Sequence, residues 1–259
     1  MREACAHAVE IGLPAMTFTD HADLTTLVVS EAAAEYIRAI GGQVDGSIYR
    51  PPPLDVDGYL GCVDQSRSEF ADKLQIAAGV EVGDPHLHAQ AAAGLSRSGF
   101  ELIVGSVHSL RRPSGYADAA DRYADVPAAE VVREYLAEVT ALAESPADFA
   151  VLAHINYAAR YWPADQGRYR NADFEGEYRA ALRALARSGR AMEINTSGWL
   201  PLEASLMTWW HEEGGQAVSF GSDAHDPFTI GREFASAAAV AQAVGFVPGR
   251  RGLGLWVRC

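Results

Sequence analysis

Residues 217–225 read AVSFGSDAH: a short, mostly apolar run, Ala217–Gly221, followed at once by Ser222-Asp223-Ala224-His225. The run is too short for a helix and predicts a buried strand, with a carboxylate and an imidazole just beyond its end. The same habit recurs upstream. Pro14–Thr19 runs into Thr19-Asp20-His21, and Gln75–Val82 carries Gly79-Val80-Glu81. Glu101–Val107 runs into Gly105-Ser106-Val107-His108, and Phe149–Ala153 into Ala153-His154. A sixth apolar run, Ala191–Asn195, opens the stretch Glu193-Ile-Asn-Thr-Ser-Gly. Amphipathic helical patterns lie between the strands, among them Ala128–Ala143 and Glu175–Ser188, the second stopped by Gly189. This alternation predicts an α/β fold with a parallel sheet or barrel. A barrel brings its strand ends to one centre, and imidazoles with carboxylates are the donors that zinc, manganese and iron accept.

Three long stretches follow strands, residues 23–55, 109–127 and 157–172, and are expected as irregular loops walling a pocket on the carboxyl face. Residues 2–12 read as a helix ending at Gly12, with no strand before it.

The chain has 259 residues, 49% hydrophobic and 21% charged, which suits one globular domain. Its formal charge of −13 repels nucleic-acid phosphates, so DNA and RNA are not expected as partners. A small phosphorylated metabolite remains compatible, because cations or arginines make one site locally positive. Three scattered cysteines form neither a disulfide framework nor a zinc motif. With no apolar run of membrane length and no signal-peptide pattern, the cytoplasm is the expected address and no membrane partner is expected. Oligomeric state is not legible.

The ordered series TDH, GVE, GSVH, AH and GSDAH resembles the PHP (polymerase and histidinol phosphatase) superfamily across nearly the whole chain. Glu81-Val-Gly-Asp-Pro-His, His154 with Asn156 and Arg160, and Glu193-Ile-Asn-Thr-Ser-Gly resemble its histidinol-phosphatase-type branch. The resemblance implies a distorted seven-stranded TIM-like β/α barrel with two or three divalent metal ions (zinc, manganese or iron) at its mouth. It implies that Glu81 bridges two metals, that His108 and His154 complete one of them, and that Asp223 binds the other. His21 and His225 would hold the third. Glu81, His108 and Asp223 are then the expected catalytic residues.

The implied activity is hydrolysis of a small phosphomonoester, best exemplified by L-histidinol phosphate in histidine biosynthesis. Another sugar or nucleotide phosphate and a non-catalytic metal-binding remnant are the alternatives. The family's first motif, a His-x-His on an initial strand, would precede Met1. The expectation is therefore a single PHP-type domain, residues 1–259, lacking its first strand.

For substrate, Arg160 offers a guanidinium that fits a phosphate bidentately, six residues after His154 in a long loop. Arg232, just beyond the Asp223/His225 loop, follows the same logic, and Asn156 is a further candidate for the pocket lining. His86-Leu87-His88 follows the second ligand strand and is read chiefly as loop. His211-Glu212-Glu213 lacks the second histidine of a zinc-protease helix, and Trp209-Trp210 reads as core and rim.

Overall fold

A computed structural model describes residues 1–197, 204–249 and 254–259. The main sheet begins with β1 (Ala15–Asp23), β2 (Gln75–Gly83), β3 (Leu102–Ser106), β4 (Val151–Leu152), β5 (Ala191–Asn195) and β6 (Ala217–Gly221). These lie side by side in chain order, and every pairing among them is parallel. Two short strands, β7 (Phe246–Pro248) and β8 (Trp256–Arg258), complete the order β1-β2-β3-β4-β5-β6-β8-β7 by antiparallel pairing beyond β6.

All six expected strands are present. Ala191–Asn195 and Ala217–Gly221 have the expected bounds. The first differs most, because pairing with β2 carries β1 through the Thr19-Asp20-His21 motif to Asp23.

The helices follow the sequence closely. The first, α1 (Arg2–Glu10), precedes β1; α2 (Val56–Phe70) precedes β2; α3 (Ala128–Glu144) and α4 (Glu175–Ser188) flank β4. On α3, Val131, Val132, Tyr135, Leu136, Val139 and Leu142 recur at helical spacing and all are buried. Burying one such aliphatic side chain contributes about 1.5–3 kcal/mol. Gly189 closes α4 at φ +75°, a left-handed cap that glycine takes without a Cβ penalty. Trp209 and Trp210 are both buried in α5 (Ala204–Glu212). Both therefore belong to the core, with no rim role.

Two of the stretches expected to be irregular are ordered. Leu27–Val28, Val44–Asp45, Ile48–Tyr49, Ser109–Arg112 and Gly115–Asp118 form a second, five-stranded sheet. Strands of two to four residues carry almost no periodicity, so the sequence pattern did not expose them. The third stretch holds the 3₁₀ turns Tyr157–Tyr161, Ala164–Gln166 and Asn171–Phe174.

Candidate metal centre

The register between β1 and β2 sets His21 beside Glu81 and Asp23 beside Gly83. On β2, Glu81 is 8% exposed. Its Oε1 lies 3.0 Å from His154 Nε2 and 3.2 Å from His108 Nε2, and those two nitrogens are 3.4 Å apart. Three donor atoms from three adjacent strand ends thus form a nearly equilateral triangle. A point equidistant from them lies about 1.9 Å from each, close to the 2.0–2.2 Å that zinc keeps from imidazole nitrogen and carboxylate oxygen. The donor set and its spacing fit a divalent first-row cation.

The other expected ligands join this centre. His21 Nδ1 is 3.9 Å from Glu81 Oε2, and the His21 ring stacks on His225 with centroids 5.7 Å apart. His225 Nδ1 reaches the backbone oxygen of Asp223 at 3.1 Å and its carboxylate at 3.7 Å. Asp223 holds a left-handed φ of +48°, a conformation that aspartate tolerates better than most residues. Its carboxylate accepts a hydrogen bond from Arg160 Nη2, and both side chains are largely buried. The Arg160 guanidinium lies over the Tyr157 ring at 5.0 Å, and Tyr157 packs on His108 and His154. The Arg160 Nε is buried without a partner among the described residues.

All six expected ligands and Arg160 therefore meet at the carboxyl ends of the parallel strands. Arg232 is exposed, and no bond joins its side chain to the cluster among the described residues. Asn156 is partly buried, at the start of the turn that carries Tyr157 and Arg160. Rather than the cluster, it lines a neighbouring cavity with Trp162, Arg168 and Asn171. His86 pairs with Glu138 and His88 with Thr25, so neither touches the centre. Gly198, the last residue of the Glu193 motif, lies outside the described residues.

Three carboxylates at the centre are missing from the candidates drawn from sequence. Asp23 accepts a 2.8 Å hydrogen bond from His108 Nδ1. Asp84 accepts from the His108 backbone N–H at 3.0 Å. Glu193 accepts from the His154 backbone N–H at 2.9 Å and from Asn195 Nδ2 at 3.1 Å. One signal was present. Residues two apart face the same way on a strand, so His21 and Asp23 share a face once β1 is known to reach Asp23. Two glycines make room for these acids. A Cβ at Gly83 would fall 2.2 Å from Asp23 Oδ1, and one at Gly221 would fall 1.8 Å from Glu193 Oε1.

Burial pushes the Glu81 carboxyl up, but hydrogen bonds from His108 and His154 outweigh it and hold the group well below its usual range. Burial pushes the His108 ring down, and Asp23 with Glu81 reverses this, leaving it well above its usual value. Burial likewise opposes ionisation of Asp223, and Arg160 with His154 outweighs it. Glu193 is raised, chiefly by burial.

These directions set a pH dependence for the cation-free protein. Glu81 contributes stability that is present above its unfolded value near 4.5 and lost as pH falls through its lowered folded value. His108 contributes stability that is full below 6.5 and lost as pH rises through its raised folded value. The chelated protein is therefore expected to melt highest between these limits and lower at pH 8 than at pH 5.5. Saturating zinc, which binds the deprotonated donors, should reverse that order. Calorimetry with and without chelator at both pH values checks this, and equal melting of the chelated protein at the two would discount the pair.

A parallel sheet with imidazoles and carboxylates gathered at its strand ends defines an α/β protein with a candidate metal centre. The chain belongs to the PHP domain family, which matches residues 1–197. It is 26% identical over 215 residues to the histidinol-phosphatase of Lactococcus lactis subsp. lactis, covering 80% of each chain. A probable histidinol-phosphatase of Thermotoga maritima is 34% identical over 113 residues, 42% of this chain and 46% of that one. Among solved structures, the Lactococcus lactis histidinol phosphate phosphatase complexed with zinc, L-histidinol and phosphate matches with a TM-score of 0.72 at 22% identity, over 95% of this chain and 88% of that one. A putative histidinol phosphatase from Listeria monocytogenes matches with a TM-score of 0.71 at 18% identity, covering 91% and 92%. At these identities the structural likeness concerns the fold.

Proposed function

We propose that the chain is a metal-dependent phosphoric monoester hydrolase acting on L-histidinol phosphate. The carrying observation is the Glu81/His108/His154 triangle with Arg160 beside it, a cation site next to a guanidinium whose Nε lacks a partner. The choice of substrate is supported by the Lactococcus lactis histidinol-phosphatase, matched over 80% of both chains.

Divalent cations at such a site polarise phosphoryl oxygens and neutralise the charge that builds up in hydrolysis. Glu81, His108 and His154 would hold one divalent cation, with zinc, manganese and iron as the candidates, and Asp223, His225 and His21 would hold one or two more. Glu81, His108 and Asp223 form the catalytic set. Arg160 Nε and Nη atoms would grip the phosphate in a fork, which turns the ester toward the cations. Burial of the triangle keeps bulk water from competing for the donors.

A distorted barrel is the arrangement that best accounts for two contacts. His21 on β1 stacks on His225 beyond β6, and Ile11 after α1 lies close to Gly231 after β6. Both draw the first and sixth strands of the sheet toward each other. The same reading makes the chain one domain with a small-metabolite partner. The net charge of −13 disfavours nucleic acid. None of the helices is long and apolar enough to cross a membrane, among the described residues. Free thiols at Cys5, Cys62 and Cys259 suit a reducing cytoplasm.

The test is phosphate release from L-histidinol phosphate and from a panel of sugar and nucleotide phosphates, with zinc or manganese supplied. L-Histidinol phosphate is expected to show the highest kcat/KM, and a chelator is expected to abolish the activity. Preference for a sugar phosphate would overturn the substrate assignment, and chelator-resistant turnover would overturn the metal assignment.

A further inference from the structure

We infer that Asp23 is a positioning residue that orients His108 for the cation, rather than a cation ligand, and that Asp84 fixes the same histidine from its backbone. The inference rests on the metal-dependent reading above.

Two donor groups compete for one ring. Glu81, His108 and His154 form one set, and His21, Asp23 and His108 form another, each with donor atoms within 4.8 Å of one another. His108 has one nitrogen for each, but a neutral imidazole carries one ring proton and one lone pair. A carboxylate can only accept, so the 2.8 Å contact with Asp23 Oδ1 puts the proton on Nδ1. In the neutral, cation-binding form the lone pair is then on Nε2, pointing at Glu81 Oε1 and His154 Nε2. Two acceptors at 3.2 Å repel unless a proton or a cation sits between them, and a cation satisfies His154 Nε2 as well. This is the carboxylate–histidine–metal relay, in which the outer carboxylate fixes tautomer and ring plane.

The surroundings are built for that contact. Gly83 leaves the space that Asp23 occupies; a Cβ there would also lie 3.2 Å from His108 Nδ1. Asp84, 2% exposed and held at φ +51°, accepts from the backbone N–H of His108 at 3.0 Å and of Ser109 at 3.3 Å. It also accepts from Ser109 Oγ at 2.5 Å and from Thr25 Oγ1 at 2.9 Å. One buried carboxylate therefore ties the ends of β1, β2 and β3 together and fixes the His108 backbone, while the Asp23 contact occupies Nδ1.

The experiment measures zinc per chain and zinc affinity, by elemental analysis and chelator competition, for the wild type, Asp23→Asn, Asp23→Ala and Asp84→Asn. An orienting Asp23 predicts an unchanged zinc count and an affinity weakened about 10–100-fold. Asn should be milder than Ala, since its carbonyl still accepts the Nδ1 proton. Asp84→Asn should weaken zinc in the same way, because asparagine tolerates the left-handed backbone but gives up part of the acceptor set. Loss of one zinc per chain in both Asp23 variants would make Asp23 a ligand and overturn the inference, as would an affinity equal to wild type. Should these variants fail to melt cooperatively, nitrogen NMR of histidine-labelled, zinc-loaded wild type decides: a protonated Nδ1 on His108 supports the inference, and a cation-bound Nδ1 refutes it. His154→Ala serves as the separate control. If it keeps full zinc affinity, the triangle itself is not the cation site, whatever Asp23 does.

Discussion

Glu81→Gln is expected to lower kcat/KM for L-histidinol phosphate at least about 10³-fold, or about 4 kcal/mol of transition-state stabilisation. The replacement keeps size and burial, so the β-ladder around it survives. What it removes is the one negative charge that faces His108, His154 and His21 together. An amide also turns either an N–H donor or a neutral oxygen toward the triangle, and neither holds a dication as a carboxylate does. Zinc should therefore bind much more weakly while the melting profile stays cooperative. Steady-state kinetics with elemental analysis checks both points. Activity within tenfold of wild type would remove Glu81 from the centre.

Arg160→Ala is expected to act twice, and differently in the two states of loading. Without cations, the Arg160–Asp223 pair is an ion pair with both side chains largely buried. Removing one partner of such a pair typically costs about 3–5 kcal/mol, because the other is left buried and charged. The lower figure applies here, since Asp223 keeps some contact with solvent. For a chain of this size that is roughly 6–12 °C in Tm. With saturating zinc the deficit should shrink by at least half, because a cation at Asp223 replaces the missing charge. Catalysis by the loaded variant should still suffer, through loss of one charged hydrogen-bonding partner for the phosphate, at about 1.5–3 kcal/mol in kcat/KM. Paired melting curves and kinetics separate the two roles. Equal melting deficits with and without zinc would place Asp223 outside the cation site, and an unaltered KM would place Arg160 outside the phosphate site.

The main-sheet strands and the residues that ride on their ends were legible because each strand is a short apolar run with a polar donor at its carboxyl end. His21, Glu81, His108, His154, Asp223 and His225 could be named on that basis, and the structure gathers them. Several things were hidden, each for a physical reason. Asp23 was read as loop because an edge strand's length is decided by its partner, and the β2 register extends β1 four residues past Thr19. Asp84 and Glu193 stood inside quoted motifs, but they act on backbone N–H groups, and clamping the main chain of another strand is a role that no local pattern announces. The small second sheet is built from strands of two to four residues, and one distant pairing, Leu27 with Tyr116, joins its two halves. Arg232 is the opposite case. Its position just after a ligand loop was suggestive, but sequence proximity does not fix the direction of a side chain, and it points to solvent.

The glycines at 83 and 221 have a consequence for how this chain can drift over evolutionary time. Each leaves a hollow that one acid fills, Asp23 in the first and Glu193 in the second. Neither position can gain a methyl group while its acid stays in place, and neither acid is useful if the hollow is closed. Each pair is thus free to change only as a pair. Among relatives that diverge at position 83, a residue other than glycine should come with a shorter or absent acid at position 23, and the same exchange should link 221 to 193. Single replacements should be purged at either partner, so the two glycines ought to be as slow to change as the histidines they stand beside.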